Sequence, residues 1–567
     1  MKLNKLWMLA AILLCGIMTV TTACKGGKQQ VSEANDSTAT PDVEKMKEEI
    51  RAQYGENKNI TGGNYDQSLA VKCINGTFVG KKNGHVITYK GIPFVGEQPV
   101  GKNRWKAPVA YAPKDSVYEA YYQAKSPHQI ETFSEGASLY YQSEDCLYLN
   151  VYKPNVTSAE KKPVMVWIHG GGFEYGGTAD PLYEASNLVE ENPDVIVVGI
   201  TYRLNALGFL HLSHLPDGKD YPDAQNLGIM DQMMALKWVH ENIAGFGGDP
   251  DNVTIFGESA GGASVTLLPL VKGSHAYFKK VIAESGTPIY SRSPEQAITC
   301  TNELMEALGC KTVADLQKVS AEKITEAAGI LALRQWPERD GNYLPLEPFD
   351  AYANGAAKDI TILQGCNKDE MNYFVYCFGN VDTYNTWAAA RKEKKMAQLT
   401  DDEKALVESF CNDIKGESYE STSHLFNQLQ FFGPCFRLLE NQTMAGGKTY
   451  AYLFTPESSL PIMKCGHAVE LSTVFNHPEE TVFTGRAFDE TFSKTMRKMW
   501  VQFAKTGNPS LTAEQSPDGK AHEWPLYDVK DKPVMVLDEK NIRPEKESTL
   551  KIVDWERTYF MTKYYTI

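Results

Sequence analysis

The sequence predicts an α/β fold whose central sheet is mostly parallel and covered by helices on both faces. Two observations lead to this prediction. Short, almost wholly apolar segments at 164–168, 195–200 and 253–256 have the composition of strands that are buried on both faces. A segment with helical periodicity, 228–243, lies between the second and the third of them. Buried strands that alternate with helices are typical of parallel sheets, because parallel neighbours need long crossover connections.

The length and composition are those of a large globular protein. A chain of 567 residues is long enough for one large α/β domain with insertions. Hydrophobic residues make up 42% and charged residues 23%, a balance that is typical of globular chains. The formal net charge of −14 argues against nucleic acid as a partner, since contacts with phosphates need clustered Lys and Arg.

The first 23 residues are predicted to be a bacterial secretory signal peptide of the lipoprotein type. Lys2 and Lys5 precede an apolar segment, 6–20, that is too short to be a stable membrane anchor. Small residues then precede Cys24, a placement that resembles the lipid attachment site of bacterial lipoproteins, although Thr21 stands where leucine is usual. We therefore expect an exported cell-envelope protein that is held at the membrane only through that lipid, on the periplasmic or the cell-surface side. A plain secreted protein is the alternative.

The rest of the chain is predicted to form a tether and one domain. Residues 24–65 are polar with few apolar side chains, which favours a flexible tether. No domain boundary is evident after them, so residues 66–567 are predicted to be a single α/β domain. Its first two segments, 71–79 and 85–89, alternate loosely and predict a hairpin.

The second half of the domain is predicted to contain two further strands and a helical region. The strands are 360–363 and 450–454. Between 288 and 440 the chain is more helical, which predicts insertions over the carboxyl edge of the sheet. That edge is where such folds place their sites.

Ser259 is the candidate nucleophile. Gly257-Glu258-Ser259-Ala260-Gly261 fits the pattern G-x-S-x-G, which is weak evidence alone. Its context strengthens it, because the motif follows a predicted strand and begins a predicted helix at 260–268. Small flanking residues permit the sharp turn that exposes the serine hydroxyl at the top of an α/β-hydrolase sheet.

A glycine run after the strand at 164–168 is the candidate oxyanion hole. His169-Gly170-Gly171-Gly172-Phe173 lets backbone N–H groups approach a substrate oxygen without obstruction by side chains. We assign the N–H groups of Gly171, Gly172 and Ala260 to this role. A phosphate-binding loop is the alternative, but no Gly-Lys-Ser/Thr follows the run.

A nucleophilic serine needs a histidine as its general base, and the histidine needs a carboxylate that orients it. In this fold the carboxylate residue and then the histidine follow the serine along the chain. Four histidines follow the strand at 360–363, and His467 is the best candidate because it comes 13 residues after the strand that ends at 454. The other histidines are His424, His477 and His522. Asp369 and Glu370 both follow the strand at 360–363, and topology does not choose between them.

The sequence resembles the type-B carboxylesterase family, which includes the cholinesterases, from about residue 70 to residue 528. The G-x-S-x-G motif around Ser259, called the elbow below, and the glycine run after His169 carry this resemblance. Other motifs that occur in the same order as in the family also carry it, namely Glu144–Asn150, Tyr202–Asn205, Phe246–Pro250, Asn367–Glu370, Gly466–Glu470 and Gly507–Pro509. The resemblance implies that Glu370 is the acid and His467 the base. It also implies a supporting serine at Ser285, and no metal or organic cofactor.

Several positions depart from the family pattern. Met371 and Ala468 stand where the family usually has glycine, so both side chains are expected to narrow the pocket. The tryptophan that binds choline has no counterpart near Gly136, which makes choline esters improbable substrates. The family disulfide of Cys146 is absent or moved to Cys73, because no cysteine lies between them.

The predicted function is therefore carboxylic-ester hydrolysis by two-step acyl transfer through a Ser-His-Glu triad. The substrate is expected to be a small-molecule or glycan ester. Two alternatives stay open, a deacylase of acyl-decorated glycans or an amide hydrolase, and a catalytically inactive binding protein of the same family. The acyl and alcohol preferences and the oligomeric state are not predicted.

Overall fold

The computed structural model describes residues 48, 50–129, 140–156 and 158–563. The predicted signal peptide, Cys24 and most of the predicted tether lie outside the described residues, as does the segment around Gly136.

The described residues contain fourteen strands in two sheets. In chain order they are β1 (Ala70–Cys73), β2 (Gly76–Val79), β3 (Lys81–Asn83), β4 (Val86–Pro93), β5 (Val117–Glu119), β6 (Tyr148–Pro154), β7 (Lys162–Ile168), β8 (Ile196–Ile200), β9 (Gly248–Glu258), β10 (Lys280–Glu284), β11 (Thr361–Asn367), β12 (Thr449–Phe454), β13 (Pro533–Leu537) and β14 (Arg543–Lys546).

Helices fill most of the connections in the described part of the chain. The α-helices are α1 (Ser186–Glu191), α2 (Asn205–Gly208), α3 (Leu227–Asn242), α4 (Ala260–Leu267), α5 (Pro294–Leu308), α6 (Val313–Leu316), α7 (Ala321–Ile330), α8 (Pro348–Ala353), α9 (Met371–Cys377), α10 (Val381–Met396), α11 (Asp401–Asp413), α12 (Glu420–Phe426), α13 (Gly433–Met444), α14 (Leu471–Val474), α15 (Glu490–Thr506) and α16 (Glu547–Leu550). One π-helical segment, Asn427–Phe432, joins α12 to α13.

The large sheet has eleven strands in the order β14-β13-β12-β11-β10-β9-β7-β8-β6-β4-β3. Its seven central strands, from β13 to β8, are parallel, and the strands outside them pair antiparallel. The prediction of a mostly parallel sheet with helices is confirmed. The alternation of side chains along β7 explains why both faces are covered. Val164, Val166 and Ile168 join the core on one face, whereas Met165 and Trp167 join the core on the other.

The predicted central strands and helices are present, with ends displaced by a few residues. The predicted hairpin is wrong in its pairing. Segment 71–79 is itself a hairpin of β1 and β2 in a separate three-stranded sheet, whereas β4 pairs with β3 and β6 in the large sheet. Loose alternation predicts strands, but it does not determine which strands pair.

The predicted helical region contains two insertions. Helices α5 to α8 lie between β10 and β11, and α9 to α13 lie between β11 and β12. A third apolar core, with Val375, Phe410, Phe426 and Phe436 among its members, packs much of the second insertion.

All nine cysteines of the described residues are free thiols, including Cys73, Cys146, Cys300 and Cys310. The family disulfide of Cys146 is therefore absent, and Cys73 does not replace its partner. In the part of the chain that the structure describes, we find no helix with the length and apolar character of a membrane span.

Candidate active site

Ser259 lies in a sharp turn between β9 and α4. Its backbone has φ 56° and ψ −117°, a conformation that non-glycine residues rarely adopt. The turn requires close backbone approaches on both sides. A Cβ on Gly261 would lie 1.9 Å from the carbonyl oxygen of Ile168, and a Cβ on Gly286 would lie 2.2 Å from that of Ser259. Glycine is needed there because any side chain would collide with neighbouring backbone.

The glycine run forms a turn directly after β7. Gly171 has φ 94° and Gly172 has φ 65°, values that favour glycine. A Cβ on Gly171 would lie 2.2 Å from the carbonyl oxygen of Tyr175, whereas the space beside Gly172 is open. Both glycines and Ala260 line the same pocket as Ser259. Within the described residues, the N–H groups of Gly171, Gly172 and Ala260 have no hydrogen-bond acceptor.

His169, the first residue of the glycine run, is buried and contacts the loop that follows it. Its ring stacks on Tyr202 with 4.5 Å between centroids, and its Nδ1 lies 2.9 Å from the carbonyl oxygen of Gly170. Burial lowers the pKa of His169 to about 4, so the ring is neutral. The Tyr202 hydroxyl donates to the carbonyl oxygen of His169 at 2.8 Å.

Glu370 and His467 form a fully buried acid–base pair. Nδ1 of His467 lies 2.6 Å from Oε2 of Glu370. The other carboxylate oxygen, Oε1, accepts from the Ser285 hydroxyl at 2.6 Å and from the Asn367 N–H at 2.7 Å. These bonds fix the carboxylate, which in turn fixes the orientation of the imidazole. Ser285, the supporting serine implied by the family resemblance, thus lies in contact with Glu370.

The other candidates for acid and base have different partners. Nε2 of His477 lies 2.7 Å from the carbonyl oxygen of Glu184, and Nε2 of His522 lies 3.0 Å from a carboxylate oxygen of Asp518. His424 lies on α12. The backbone N–H of Asp369 donates to Cys465, and its carboxylate has no hydrogen bond to His467 among the described residues.

Sequence reasoning missed the role of Glu258, which occupies the variable position before Ser259. Its Oε1 lies 3.0 Å from Nε2 of His467 and forms an ion pair with it, without the geometry of a directed hydrogen bond. Nε2 is the nitrogen that a histidine uses when it acts as the base for a serine. Ser259 Oγ forms no hydrogen bond with His467 in the described structure. Burial alone lowers the pKa of His467, but the charges of Glu258 and Glu370 outweigh burial and raise it well above its ordinary value.

Two more buried carboxyl groups lie near Glu258. Oε1 of Glu284 accepts from the indole N–H of Trp500 at 2.7 Å, and Oε2 of Glu470 accepts from Asn367 at 2.5 Å. Burial raises the pKa of Glu284 to about 8, and burial together with the charge of Glu258 raises that of Glu470 well above its ordinary value. The molecule therefore keeps several carboxyl groups close together by leaving some of them protonated.

The pocket at Ser259 has a volume of about 180 Å³, and ten of its 23 lining residues are aromatic. Met371 and Ala468 line it, as the departures from the family pattern suggested. Ala468 has φ 67°, which explains why glycine is usual at that position. The aromatic residues of the lining are Phe173, Tyr175, Tyr183, Tyr290, Trp336, Tyr373, Phe374, Phe378, Trp387 and Phe483.

Tyr373 and Phe374, which follow Glu370 closely in the sequence, face this pocket, whereas Tyr376 packs against the core. A larger cavity of about 880 Å³ lies beside the three-stranded sheet, but none of the candidate catalytic residues lines it. The candidate nucleophile, base and oxyanion-hole residues therefore lie at the smaller cavity.

The smaller cavity brings together a serine, an acid–base pair and three free N–H groups. Such a set can carry out acyl transfer, in which a serine attacks a carbonyl carbon and N–H donors stabilise the oxyanion.

Comparisons with known proteins agree with this chemistry. The model of the carboxylesterase family matches residues 67–553. The para-nitrobenzyl esterase of Bacillus subtilis is 36% identical over 498 residues, which cover 84% of this chain and 97% of that protein. The cholinesterase of Mus musculus is 31% identical over 490 residues, 78% of each chain.

Solved structures are similar over almost their whole length. A carboxylesterase of Geobacillus stearothermophilus superposes with a TM-score of 0.74 at 31% identity, covering 85% of this chain and 99% of its own. A thermophilic PNB esterase gives 0.73 at 33% identity, covering 86% and 99%.

Proposed function

The chain belongs to the carboxylesterase family and is a serine carboxylic-ester hydrolase, and on that premise we propose that Ser259, His467 and Glu370 carry out its reaction. Ser259 is the nucleophile, His467 the general base and acid, and Glu370 the carboxylate that orients the imidazole. The N–H groups of Gly171, Gly172 and Ala260 form the oxyanion hole.

The reaction has two halves. Nε2 of His467 takes the proton of Ser259 as Oγ bonds to the ester carbonyl carbon, and the carbonyl oxygen becomes an oxyanion that the three N–H groups bind. The intermediate collapses, the bond to the alcohol oxygen breaks, and that oxygen takes the proton from His467. Water then repeats the sequence on the acyl-serine and releases the carboxylic acid and free Ser259.

The observation that carries this proposal is the shared pocket. Ser259, His467, Gly171, Gly172 and Ala260 come from distant parts of the chain and line one cavity. Glu370 lies behind His467 and is fully buried. During the reaction Nε2 of His467 exchanges its contact with Glu258 for one with Ser259 Oγ.

Replacement of the nucleophile tests the proposal directly. We expect Ser259→Ala to lower kcat on a 4-nitrophenyl acyl ester by about 10³-fold or more, since the acyl-enzyme can no longer form. A fluorophosphonate probe should label the wild type and not the variant. Ser68→Ala, a change at an exposed serine, is the control and should leave both readouts unchanged. Hydrolysis by Ser259→Ala at the wild-type rate would contradict the assignment.

For the substrate, we propose small esters in preference to acylated polysaccharides. A cavity of about 180 Å³ is smaller than the roughly 300–1,000 Å³ typical of sites for drug-sized ligands. The relative named a para-nitrobenzyl esterase supports the same choice. Initial rates on a panel of 4-nitrophenyl acyl esters and acetylated or feruloylated polysaccharides test it, and faster release of acid from the polysaccharides would reverse it.

We also propose that the mature protein is exported and anchored through a lipid on Cys24. The support is the sequence, in which basic residues, an apolar segment and small residues precede that cysteine. In a bacterial host, radiolabelled palmitate should enter the wild type, and the protein should fractionate with membranes. Cys24→Ala should lose both properties, whereas Cys300→Ala should keep them. Labelling of Cys24→Ala would contradict the proposal.

A further inference from the structure

Two arginines line the catalytic pocket without a carboxylate partner. Arg334 comes from the insertion between β10 and β11, and Arg391 from α10 in the insertion between β11 and β12. Within the described part of the chain, neither side chain forms an ion pair or donates a hydrogen bond. By contrast, Arg104, Arg203 and Arg497 each bind a carboxylate within 2.7 Å.

The guanidinium group of Arg391 contacts aromatic rings rather than carboxylates. Its guanidinium carbon lies 4.9 Å from the ring centroid of Trp387 and 5.5 Å from that of Phe426. Its Nε is fully buried and has no acceptor. A buried donor of this kind is costly to leave unsatisfied, particularly on a charged group.

Among the described residues, no carboxylate forms an ion pair with Arg334 or Arg391. Burial and the charge of Arg334 lower the pKa of Arg391 to about 9, so the guanidinium is still charged at neutral pH. Glu174 is an acid on the pocket lining, and burial raises its pKa even though the charge of Arg334 opposes this change.

A row of aromatic rings connects this end of the pocket to the catalytic histidine. The ring of Phe431 lies 5.2 Å from that of His467, and 6.4 Å from that of Tyr290. Tyr290 is 5.5 Å from Trp336, whose ring lies 5.7 Å from the guanidinium carbon of Arg334. One ester bound at Ser259 with a chain of several carbons can thus place its far end among the arginines.

We propose that Arg334 and Arg391 form an anion subsite of the catalytic pocket, and that the natural ester carries a carboxylate on its acyl or its alcohol part. This inference rests on the proposed function of Ser259. Guanidinium groups bind carboxylates through two parallel N–H···O bonds, and such a partner satisfies the buried Nε of Arg391 and neutralises the local charge. The aromatic walls between the subsite and His467 contact the apolar carbons between the two ends of the substrate.

Two pairs of substrates that differ only in one charged group test the proposal. For the acyl side, the pair is mono-4-nitrophenyl adipate and its terminal carboxamide. For the alcohol side, the pair is 4-acetoxybenzoate and 4-acetoxybenzamide. The quantity measured is the ratio of kcat/KM for the anion to kcat/KM for the neutral amide, at low and at high salt.

In the wild type we expect this ratio to favour the anion in at least one pair. Arg391→Gln should lower the ratio for that pair by about 10- to 100-fold, as expected for the loss of a charge-assisted hydrogen bond. Arg391→Lys should retain part of the preference. Comparing ratios between proteins cancels the different intrinsic reactivities of the esters.

Two further variants complete the design. Arg334→Gln changes an exposed side chain and should also lower the ratio, so the test does not depend on the folding of Arg391→Gln. Arg486→Gln removes a positive charge outside the pocket, where Arg486 pairs with Glu539, and should leave the ratio unchanged.

Each outcome separates the subsite from the function on which it rests. If the wild type and every arginine variant hydrolyse the ester bond of the carboxamide-bearing substrates and show no preference for the anionic substrates, the subsite is refuted and the esterase assignment stands. If Ser259→Ala hydrolyses the ester bond of the carboxamide-bearing substrates as fast as the wild type, the proposed function of Ser259 is refuted, whatever the arginine variants show.

Discussion

At the scale of single residues, the proposed role of Glu370 is to make His467 an effective base. We predict that Glu370→Gln lowers kcat by about 10³- to 10⁴-fold, because a neutral amide neither fixes the imidazole tautomer nor stabilises the imidazolium. Steady-state kinetics on a 4-nitrophenyl ester, with thermal unfolding as the check on folding, measure the effect. Asp369→Asn is the matched control, since this neighbouring carboxylate has no hydrogen bond to His467, and an equal loss in both variants would contradict the assignment.

Glu258 is predicted to set the pH range of the enzyme. Its charge is the first of the influences that raise the pKa of His467, and a protonated imidazole cannot accept the serine proton. Glu258→Gln should therefore lower the pKa of His467 and move the acid limb of the kcat/KM profile to lower pH. Glu284→Gln removes a buried acid without contact to His467 and should leave that limb in place. If the acid limb of the kcat/KM profile lies at the same pH in Glu258→Gln as in the wild type, this explanation is contradicted.

The sequence predicted the triad residues to different degrees. Ser259 was predictable, because the elbow requires a local pattern of small residues around it. The choice between Asp369 and Glu370 was not predictable from topology, since it depends on which carboxylate points towards a histidine 97 residues further along the chain. Glu258 was missed because the variable position of a motif carries no signal of its own.

At the scale of secondary-structure elements, the close crossing of β7 and α4 controls the geometry of the elbow. We predict that Gly261→Ala reduces the free energy of unfolding by about 1–3 kcal/mol and abolishes most activity, because its Cβ would lie 1.9 Å from the carbonyl oxygen of Ile168. Denaturant unfolding and kcat measure the two effects. Gly199→Ala in β8 meets only a methyl group at 3.4 Å and should be tolerated, and equal stability of both variants would argue against the crossing as the cause.

The elements differ in how well the sequence predicts them. Central strands such as β7 and β8 are predictable because burial on both faces leaves only apolar residues in them. The outer strands β3 and β14 are short and polar, so composition does not distinguish them from loops. The helical insertions were predicted as a region, but not the fact that they bring Arg334 and Arg391 to the pocket, since that depends on contacts between distant segments.

At the scale of the whole molecule, stability should depend on the buried carboxyl groups. The folded-state pKa of Glu284 is about 8, above its ordinary value of 4.5, so between these values the folded protein holds a proton that the unfolded chain has released. Its stabilising contribution is complete below pH 4.5 and is lost as pH rises to 8.

Glu284→Gln should remove this dependence. We predict that the difference in unfolding free energy between variant and wild type moves in favour of the variant by about 1.4 kcal/mol for each pH unit within that window. Chemical denaturation at pH 5, 6, 7 and 8 measures it. Glu523→Gln, at an exposed acid, should give a flat difference, and a flat difference for Glu284→Gln would show that its proton is not retained.

The free thiols of the interior have a consequence for where this chain can mature. Burial raises the pKa of Cys73 to about 12 and that of Cys146 and Cys465 well above the ordinary value, so these groups are not thiolates at neutral pH and do not readily exchange disulfides. The native packing of these three residues therefore does not depend on the formation of a disulfide. We therefore expect the packing around Cys73, Cys146 and Cys465 to be the same in a reducing and in an oxidising compartment.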